Sequence, residues 1–390
     1  MLENKIFEDT KTAFALKSDS ELDRAYFLFK MISVQPLVRV GTAVTRFALN
    51  AKLPVEKLIR ATVFDHFCGG VSVEDCKDTI QKMHTKNVHS VLDFSVEGEE
   101  EESLFDAALE KVSNVIDFSE DKKAMPFSVF KPSGFGRFEI FQKVGARKEL
   151  STSEEKEWQR IRERFDRVCA QAEAAGIYLL VDAEESWMQD AADRLVEEMM
   201  EKYNKERAVV SNTIQCYRWD RLDYVKVLHQ DAIKKNYKLG LKIVRGAYME
   251  KERKRADELN YDSPICRDKF ETDAHFNAVM SYIFDHLEDI WMFIGSHNEE
   301  SNYLAIELMR QKEIANNDPR VWFGQLYGMS DHISFNMAAE GYNVAKYLPF
   351  GPVKNVMPYL MRRAEENTSV AGQTNRELTL LKKERKRRDD

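Results

Sequence analysis

Eight short apolar runs, each followed by a longer amphipathic stretch, govern what this chain can fold into. The runs are Val88 to Phe94, Phe127 to Lys131, Ile177 to Asp182, Ala208 to Gln215, Leu241 to Arg245, Ile290 to Ser296, Val321 to Leu326 and Val344 to Tyr347. Most are apolar continuously rather than at alternate positions, which is the pattern of parallel strands covered on both faces. The stretches between them have helical periodicity. The plainest opens on the capping box Ser151-Thr152-Ser153-Glu154, sets Trp158, Ile161, Phe165, Val168 and Ala172 on one face, and stops at Gly176. Similar stretches follow Glu185, Arg221, Asp273, Glu299 and Asp331, and the acidic run Glu99 to Glu102 reads as the first turn of a helix beginning near Ser103. Strand and helix alternate over roughly 280 residues, which predicts an α/β chain built as a (β/α)8 barrel of the TIM type; a doubly wound sheet rarely holds eight consecutive βα repeats.

Ahead of the first run the texture differs. Glu21 to Met31 repeats apolar residues at helical spacing and Val38 to Leu53 continues in that style, without strand alternation. The expected organisation is an N-terminal helical region over 1–84, the barrel over 85–368, and a short basic tail over 369–390. Within that tail residues 382–388, KKERKRR, carry six cations and one anion, which reads as a solvated end or else an interaction patch, for which anionic lipid is a candidate ligand.

Several classes of function are excluded at this level. A formal net charge of −8 repels nucleic acid rather than attracting it. The five cysteines are odd in number and form no CxxC pair, so neither a disulfide framework nor a zinc site is expected, and a reducing compartment fits. No HExxH occurs and the eight histidines are dispersed, so no metal site is expected. No run approaches the roughly 20 apolar residues of a membrane helix, and the opening MLENKIFEDTK lacks a signal layout; a cytoplasmic location is the expectation. Gly134-Phe135-Gly136 is followed by Glu139 where a dinucleotide fingerprint needs its third glycine, and no GxxxxGK[ST] is present.

In a barrel of this kind function gathers where the strands end. The ends of the runs carry Lys131, then Asp182 with Glu184 and Glu185, Gln215 with Tyr217, Lys242 with Arg245 and Tyr248, Ser296 with His297, Gln325 with Tyr327, and Tyr347. Charges embedded in strands, such as Lys131, Asp182 and Lys242, are costly unless paired or serving a ligand. Each has a plain structural reading as well. Lys131 and Asp182 could form a buried bridge, Asp182 to Glu185 an acidic helix start, and His297-Asn298 a helix cap. The last helix adds Tyr359, Arg362, Arg363 and Glu366 at i, i+3, i+4 and i+7, one face bearing a phenol, two guanidiniums and a carboxylate. Such a face suits a small carboxylate held in arginine forks, or else a solvated salt-bridge surface.

Taken in order, Asp182-Ala183-Glu184-Glu185, Gln215, Lys242-Ile243-Val244-Arg245-Gly246-Ala247-Tyr248, Ser296-His297-Asn298 and Tyr359-x-x-Arg362-Arg363-x-x-Glu366-Asn367 make the chain resemble the proline dehydrogenase family over residues 85–368. The resemblance implies FAD at the barrel mouth, with L-proline against its ring. Arg362 and Arg363 would hold the substrate carboxylate with Lys131 opposite, and Tyr248, Tyr347 and Tyr359 would wall the pyrrolidine ring. Ala183, Gln215, Lys242, Arg245, Gly246, Ala247, Ser296, His297 and Glu366 would contact the flavin. Asp182, together with Lys242, would organise the catalytic groups. The resemblance further implies oxidation to 1-pyrroline-5-carboxylate, electrons passed to a membrane quinone, and a peripheral visit to the membrane. Some members have Arg where this chain has Lys242, which turns a bidentate contact into a point charge. Relatives that prefer hydroxyproline tend to lack the tyrosine at 347, so Tyr347 favours proline over a hydroxyproline dehydrogenase reading. Without the resemblance, Lys131 or Lys242 could serve as the Schiff-base nucleophile of a barrel aldolase, or the barrel could bind a carboxylate without turnover.

Overall fold

The computed structural model describes residues 5–34, 36, 38, 41, 43, 56–94, 101–119, 123–369 and 371–390. Its strands are β1 (Val88–Phe94), β2 (Phe127–Phe130), β3 (Tyr178–Val181), β4 (Val210–Gln215), β5 (Leu239–Val244), β6 (Ile290–Gly295), β7 (Val321–Leu326) and β8 (Val344–Phe350), closed into a barrel in sequential order. The pairings are parallel, as the continuous apolar runs require. Each expected run holds a strand. Two extend past the sequence reading for a physical reason. β5 starts two residues earlier, through Gly240, where a Cβ would lie 2.4 Å from the Val210 carbonyl oxygen; the glycine permits the close approach of β4. β8 continues through Pro349, whose carbonyl accepts the Gly69 N–H at 2.8 Å, so the proline stays in the strand without an N–H to donate.

The longer helices are α1 (Asp19–Ile32), α2 (Lys77–His84), α3 (Glu102–Phe118), α4 (Phe138–Gly145), α5 (Thr152–Ala175), α6 (Ser186–Tyr203), α7 (Arg221–Lys235), α8 (Met249–Leu259), α9 (Lys269–Phe284), α10 (Glu299–Gln311), α11 (Asp331–Ala339), α12 (Val353–Ser369) and α13 (Ala371–Asp389). α5 has the expected capping box, with reciprocal bonds between Ser151 and Glu154, and ends on Gly176 at φ 71°. α3 begins at Glu102 with Glu101 as its cap residue; Glu99 and Glu100 lie outside the described residues, as does most of the stretch Val38 to Leu53. Among the described residues no helix is long and apolar enough to cross a membrane.

The chain divides into two compact units, Glu97–Gly324, and Met1–Val96 with Gln325–Asp390. In the first, aromatic rings gather near the strand starts. Phe127 meets Trp322 edge-on at 4.8 Å and Phe293 at 5.4 Å, and Tyr178 stacks on Trp291 at 4.8 Å. Gly324 makes room for Phe293, since a Cβ there would sit 2.0 Å from the ring. Hydrocarbon thus packs the lower part of these strands, and the polar side chains stand at their C-terminal ends.

In the second unit α11 is buried along almost its whole length, packed against the turn Thr10–Ala13. α13 lies on α1 through Leu380 and Leu381, which join Phe14, Leu22, Ala25 and Phe29 in one apolar cluster. This corrects the reading of residues 382–388 as a solvated end. Lys383 donates to the Glu8 carbonyl at 2.7 Å, Arg385 pairs with Asp23 at 2.7 Å, and Arg388 reaches Asp19 at 2.8 Å and the Lys17 carbonyl at 2.9 Å. Arg387 pairs with the buried Glu384 of its own helix at 2.7 Å. A run of cations conceals the inner face of this helix, which two leucines and one glutamate are enough to define.

Candidate active site

The C-terminal ends of β2 to β6 bring the expected polar groups to one rim of the first unit. Lys242, the fourth of the six residues of β5, and Asp182, just past β3, are separated by β4, yet the lysine ammonium donates directly to Asp182 Oδ1. Both side chains therefore point inward. The lysine is almost wholly buried and Asp182 mostly so, which makes the pair a desolvated one whose members each need the other. Sequence spacing offered Lys131 as a partner for Asp182; the structure pairs Asp182 with Lys242.

Lys131 follows β2 and leads into Pro132, whose fixed φ starts a tight turn. That turn aims Ser133 at Glu184, which accepts the Ser133 N–H at 2.8 Å and the Ser133 hydroxyl at 2.6 Å. Burial pushes the Glu184 carboxyl up to about 7 against the opposing pull of Lys131 and Ser133. Its backbone N–H is satisfied by Gln189 at 2.7 Å. The sequence offers Glu184 only as part of an acidic helix start; its position two residues after Asp182 is the available signal. Glu185 caps α6 through its backbone and pairs with Lys251 at 2.9 Å, the helix-start role that its position suggests.

Gln215 ends β4 fully buried, 3.5 Å from the Tyr217 hydroxyl. Arg245, just past β5, is locked on three sides: Nε to Asp273 at 2.7 Å, Nη1 to Ser296 Oγ at 2.9 Å and Nη2 to Ser301 Oγ at 2.9 Å, with its guanidinium 4.5 Å from the Phe276 ring centre. Arg245 and Ser296 thus belong to one network, whose members Asp273 and Ser301 sequence reasoning did not single out. Gly246 follows at φ 129°, a conformation other residues rarely adopt, and a Cβ would lie 2.6 Å from the Tyr217 ring. Gly246 and Ala247 are exposed, and Tyr248 caps α8. Asn298 accepts the Ser301 N–H at 2.8 Å and so caps α10, which confirms the helix-start reading of that stretch and leaves His297 half-buried beside it. Ala183 is half-buried between Asp182 and Glu184.

In the second unit Tyr347 is buried on β8, and its carbonyl accepts the Tyr327 N–H at 2.8 Å. Tyr359 is buried on α12 among Leu28, Ile32, Phe64, Phe67, Met329 and Leu360, with the Arg363 guanidinium 5.4 Å from its ring centre. Tyr359 and Arg363 therefore share one side of α12, as their spacing predicts. The side chains of Arg362 and Glu366 lie outside the described residues.

Comparison with known proteins identifies the family and supports the fold. A family profile described as proline dehydrogenase matches residues 76–376. The chain is 37% identical over 322 residues to the carbapenem antibiotics biosynthesis protein CarD of Pectobacterium carotovorum subsp. carotovorum, covering 83% of each protein. It is 29% identical to mitochondrial proline dehydrogenase 1 of Dictyostelium discoideum, across 99% of this chain and 75% of the relative. It is 40% identical to human mitochondrial proline dehydrogenase 1 over 60% of this chain, a match that spans only 39% of the human protein. Among solved structures, proline utilization A from Bdellovibrio bacteriovorus, inactivated by N-propargylglycine, superposes with a TM-score of 0.72 at 18% identity, covering 95% of this chain and 40% of that one. That likeness supports the barrel. With the profile spanning most of the sequence, the chain belongs to the proline dehydrogenase family.

Proposed function

We propose that this protein oxidises L-proline to 1-pyrroline-5-carboxylate with FAD as its resident acceptor, and delivers the electrons to a membrane quinone. The observation that carries the reading is the Lys242–Asp182 pair inside the rim of a barrel whose family acts on proline. A buried ammonium beside a polar rim is an expensive arrangement, and a ligand bearing anionic and hydrogen-bonding groups repays it.

The residues present fit a flavin. Gly246 leaves the backbone bare where any Cβ would strike Tyr217, and Lys242, Arg245, Gln215 and Ser296 supply cations and amide or hydroxyl donors around it. Ala183, Ala247, His297 and Glu366 complete the set that the family pattern assigns. A flavin held there would supply the acceptor for a hydride leaving the carbon next to the ring nitrogen. The protein's share is placement. Arg362, Arg363 and Lys131 hold the substrate carboxylate, Tyr248, Tyr347 and Tyr359 exclude water around the ring, and Asp182 holds the Lys242 side chain in place. Arg245 contributes rigidity, because Asp273, Ser296 and Ser301 allow its guanidinium one orientation. The substrate nitrogen gives up its proton to solvent before oxidation.

Peripheral membrane contact belongs to the same proposal, since a quinone is carried in a bilayer, and a cytoplasmic enzyme at the inner face of the membrane accords with the composition. The paired cations of α13 make Lys382 and Lys386, both exposed, its remaining lipid-facing charges. The direct test is the visible spectrum of the purified protein before and after L-proline without oxygen. Flavin bands that bleach with proline, and less readily with trans-4-hydroxy-L-proline, support the reading. Bands that persist remove proline as the substrate, and a colourless protein that FAD cannot restore removes the flavin.

A further inference from the structure

β8 holds two adjacent residues with opposite destinations. On an extended strand Lys346 and Tyr347 leave opposite faces. Lys346 is fully buried; its ammonium donates to the Met329 carbonyl at 2.7 Å and the Leu326 carbonyl at 3.3 Å, and it pairs with Asp331 Oδ1 at 2.9 Å. Asp331 opens α11, and its other oxygen, Oδ2, lies 3.1 Å from Lys17 Nζ. Lys17 does not come from a barrel strand. It sits in the N-terminal segment between the turn Thr10–Ala13 and α1.

One carboxylate is therefore shared by two lysines from distant parts of the sequence. Burial opposes ionisation of Asp331, but Lys17 and Lys346 overcome it and hold the carboxyl well below its ordinary value. For Lys346 burial dominates and lowers its affinity for a proton, with Asp331 in partial opposition. The C-terminal helix adds a fourth charged group, Glu377, which accepts the Ser330 N–H and lies 3.9 Å from His332. The connection from β7 to α11 that receives the Lys346 protons also grips the next residue, through Tyr327 N–H to the Tyr347 carbonyl.

We propose that Lys17 is a positioning residue for substrate recognition: by sharing Asp331 with Lys346 it holds β8 and the β7–α11 connection in register, and thereby sets the Tyr347 ring. It touches no substrate and acts through Lys346. The inference rests on the reading that the protein oxidises proline with Tyr347 in the substrate wall, and it gives the N-terminal segment a task in affinity rather than in chemistry.

The experiment compares full-length, flavin-loaded wild type with Lys17→Met, Lys17→Arg, Tyr347→Ala and the double variant Lys17→Met/Tyr347→Ala. The readouts are KM and kcat for L-proline and, independently of turnover, calorimetric binding of tetrahydrofuran-2-carboxylate, a ring acid with no N–H to oxidise. Lys17→Met should raise KM for proline and Kd for the analogue about tenfold while kcat stays within about twofold, and Lys17→Arg should restore both. In the Tyr347→Ala background the same substitution should add little, because the two residues act in series. Unchanged KM and Kd, or a penalty that persists undiminished without Tyr347, would overturn the inference. Should Lys17→Met fail to fold, Lys17→Gln carries the same expectation with a shorter polar side chain. A wild type that neither binds the analogue nor oxidises proline refutes the functional reading and this inference with it. A wild type that does both, beside an unaffected Lys17→Met, refutes the inference alone.

Discussion

Replacing Glu184 with glutamine should make the protein more stable at alkaline pH and leave it nearly unchanged in acid. Glu184 is buried and held by two bonds from Ser133, and burial raises its carboxyl from 4.5 to about 7. A group whose folded value lies above its unfolded one favours the protonated form in the fold. Its contribution is complete below pH 4.5 and is lost as the pH climbs through 7. At about 1.4 kcal/mol per pH unit, the penalty carried by wild type at pH 8 amounts to about 3 kcal/mol. Glutamine stays neutral throughout, keeps an acceptor for the Ser133 N–H, and its amide can donate to the Ser133 hydroxyl once that proton rotates away. Urea unfolding of both proteins between pH 4 and pH 8 measures the difference. We expect close agreement at pH 4 and an advantage to Glu184→Gln that grows to as much as about 3 kcal/mol by pH 8. A difference independent of pH, or one that moves in favour of wild type as the pH rises, would show that Glu184 is ionised in the fold, held so by Lys131, and would refute the reasoning.

Asp182→Ala strands the Lys242 ammonium inside the barrel and should cost about 3–5 kcal/mol in the same assay, more than Asp182→Asn, which keeps one acceptor; equal costs would mean that charge outweighs hydrogen bonding at this pair. Gly246→Ala forces a methyl against the Tyr217 ring in a backbone conformation that alanine resists, and should lower both thermal stability, by about 1–3 kcal/mol, and the flavin retained through purification; full flavin occupancy would place the cofactor elsewhere. Tyr347→Ser should raise the efficiency ratio for trans-4-hydroxy-L-proline over L-proline, and an unchanged ratio would assign selectivity to another wall. Removing residues 382–390 takes away the Arg385–Asp23 and Arg388–Asp19 ties, so it should lower the melting temperature even where no membrane is present; a lost affinity for anionic vesicles at unchanged melting temperature would instead mark the segment as a lipid contact.

The barrel was legible because parallel strands buried on both faces leave a continuous apolar signature, and most of the eight runs do so. Boundaries were less legible where backbone geometry overrides side-chain pattern. Gly240 reads as a strand breaker until β4 lies against it, and Pro349 reads as a stop until Gly69 bonds its carbonyl. In the candidate site, the residue types at strand ends were readable, but their partners were not. Lys131 and Lys242 are both basic residues near strand ends, and only the inward direction of β5 shows that Lys242 reaches Asp182. The supports of Arg245 could not be found either, since Asp273 and Ser301 lie on helices α9 and α10 and meet the arginine only in three dimensions. Lys346 was a strand-embedded charge like the other two lysines, yet it faces outward to Asp331, and that direction separates a structural charge from one on the rim.

The seating of α13 on α1 also sets a timetable for synthesis. Arg388 donates to the Phe14 carbonyl across a separation of 374 residues. At typical translation rates of about 5–20 residues per second, the first of these groups waits on the order of a minute for its counterpart to be made. Through that interval Phe14, Leu22 and Phe29 lack Leu380 and Leu381 as cover. The nascent protein thus carries its own period of greatest vulnerability to aggregation, and it closes only once α13 has left the ribosome.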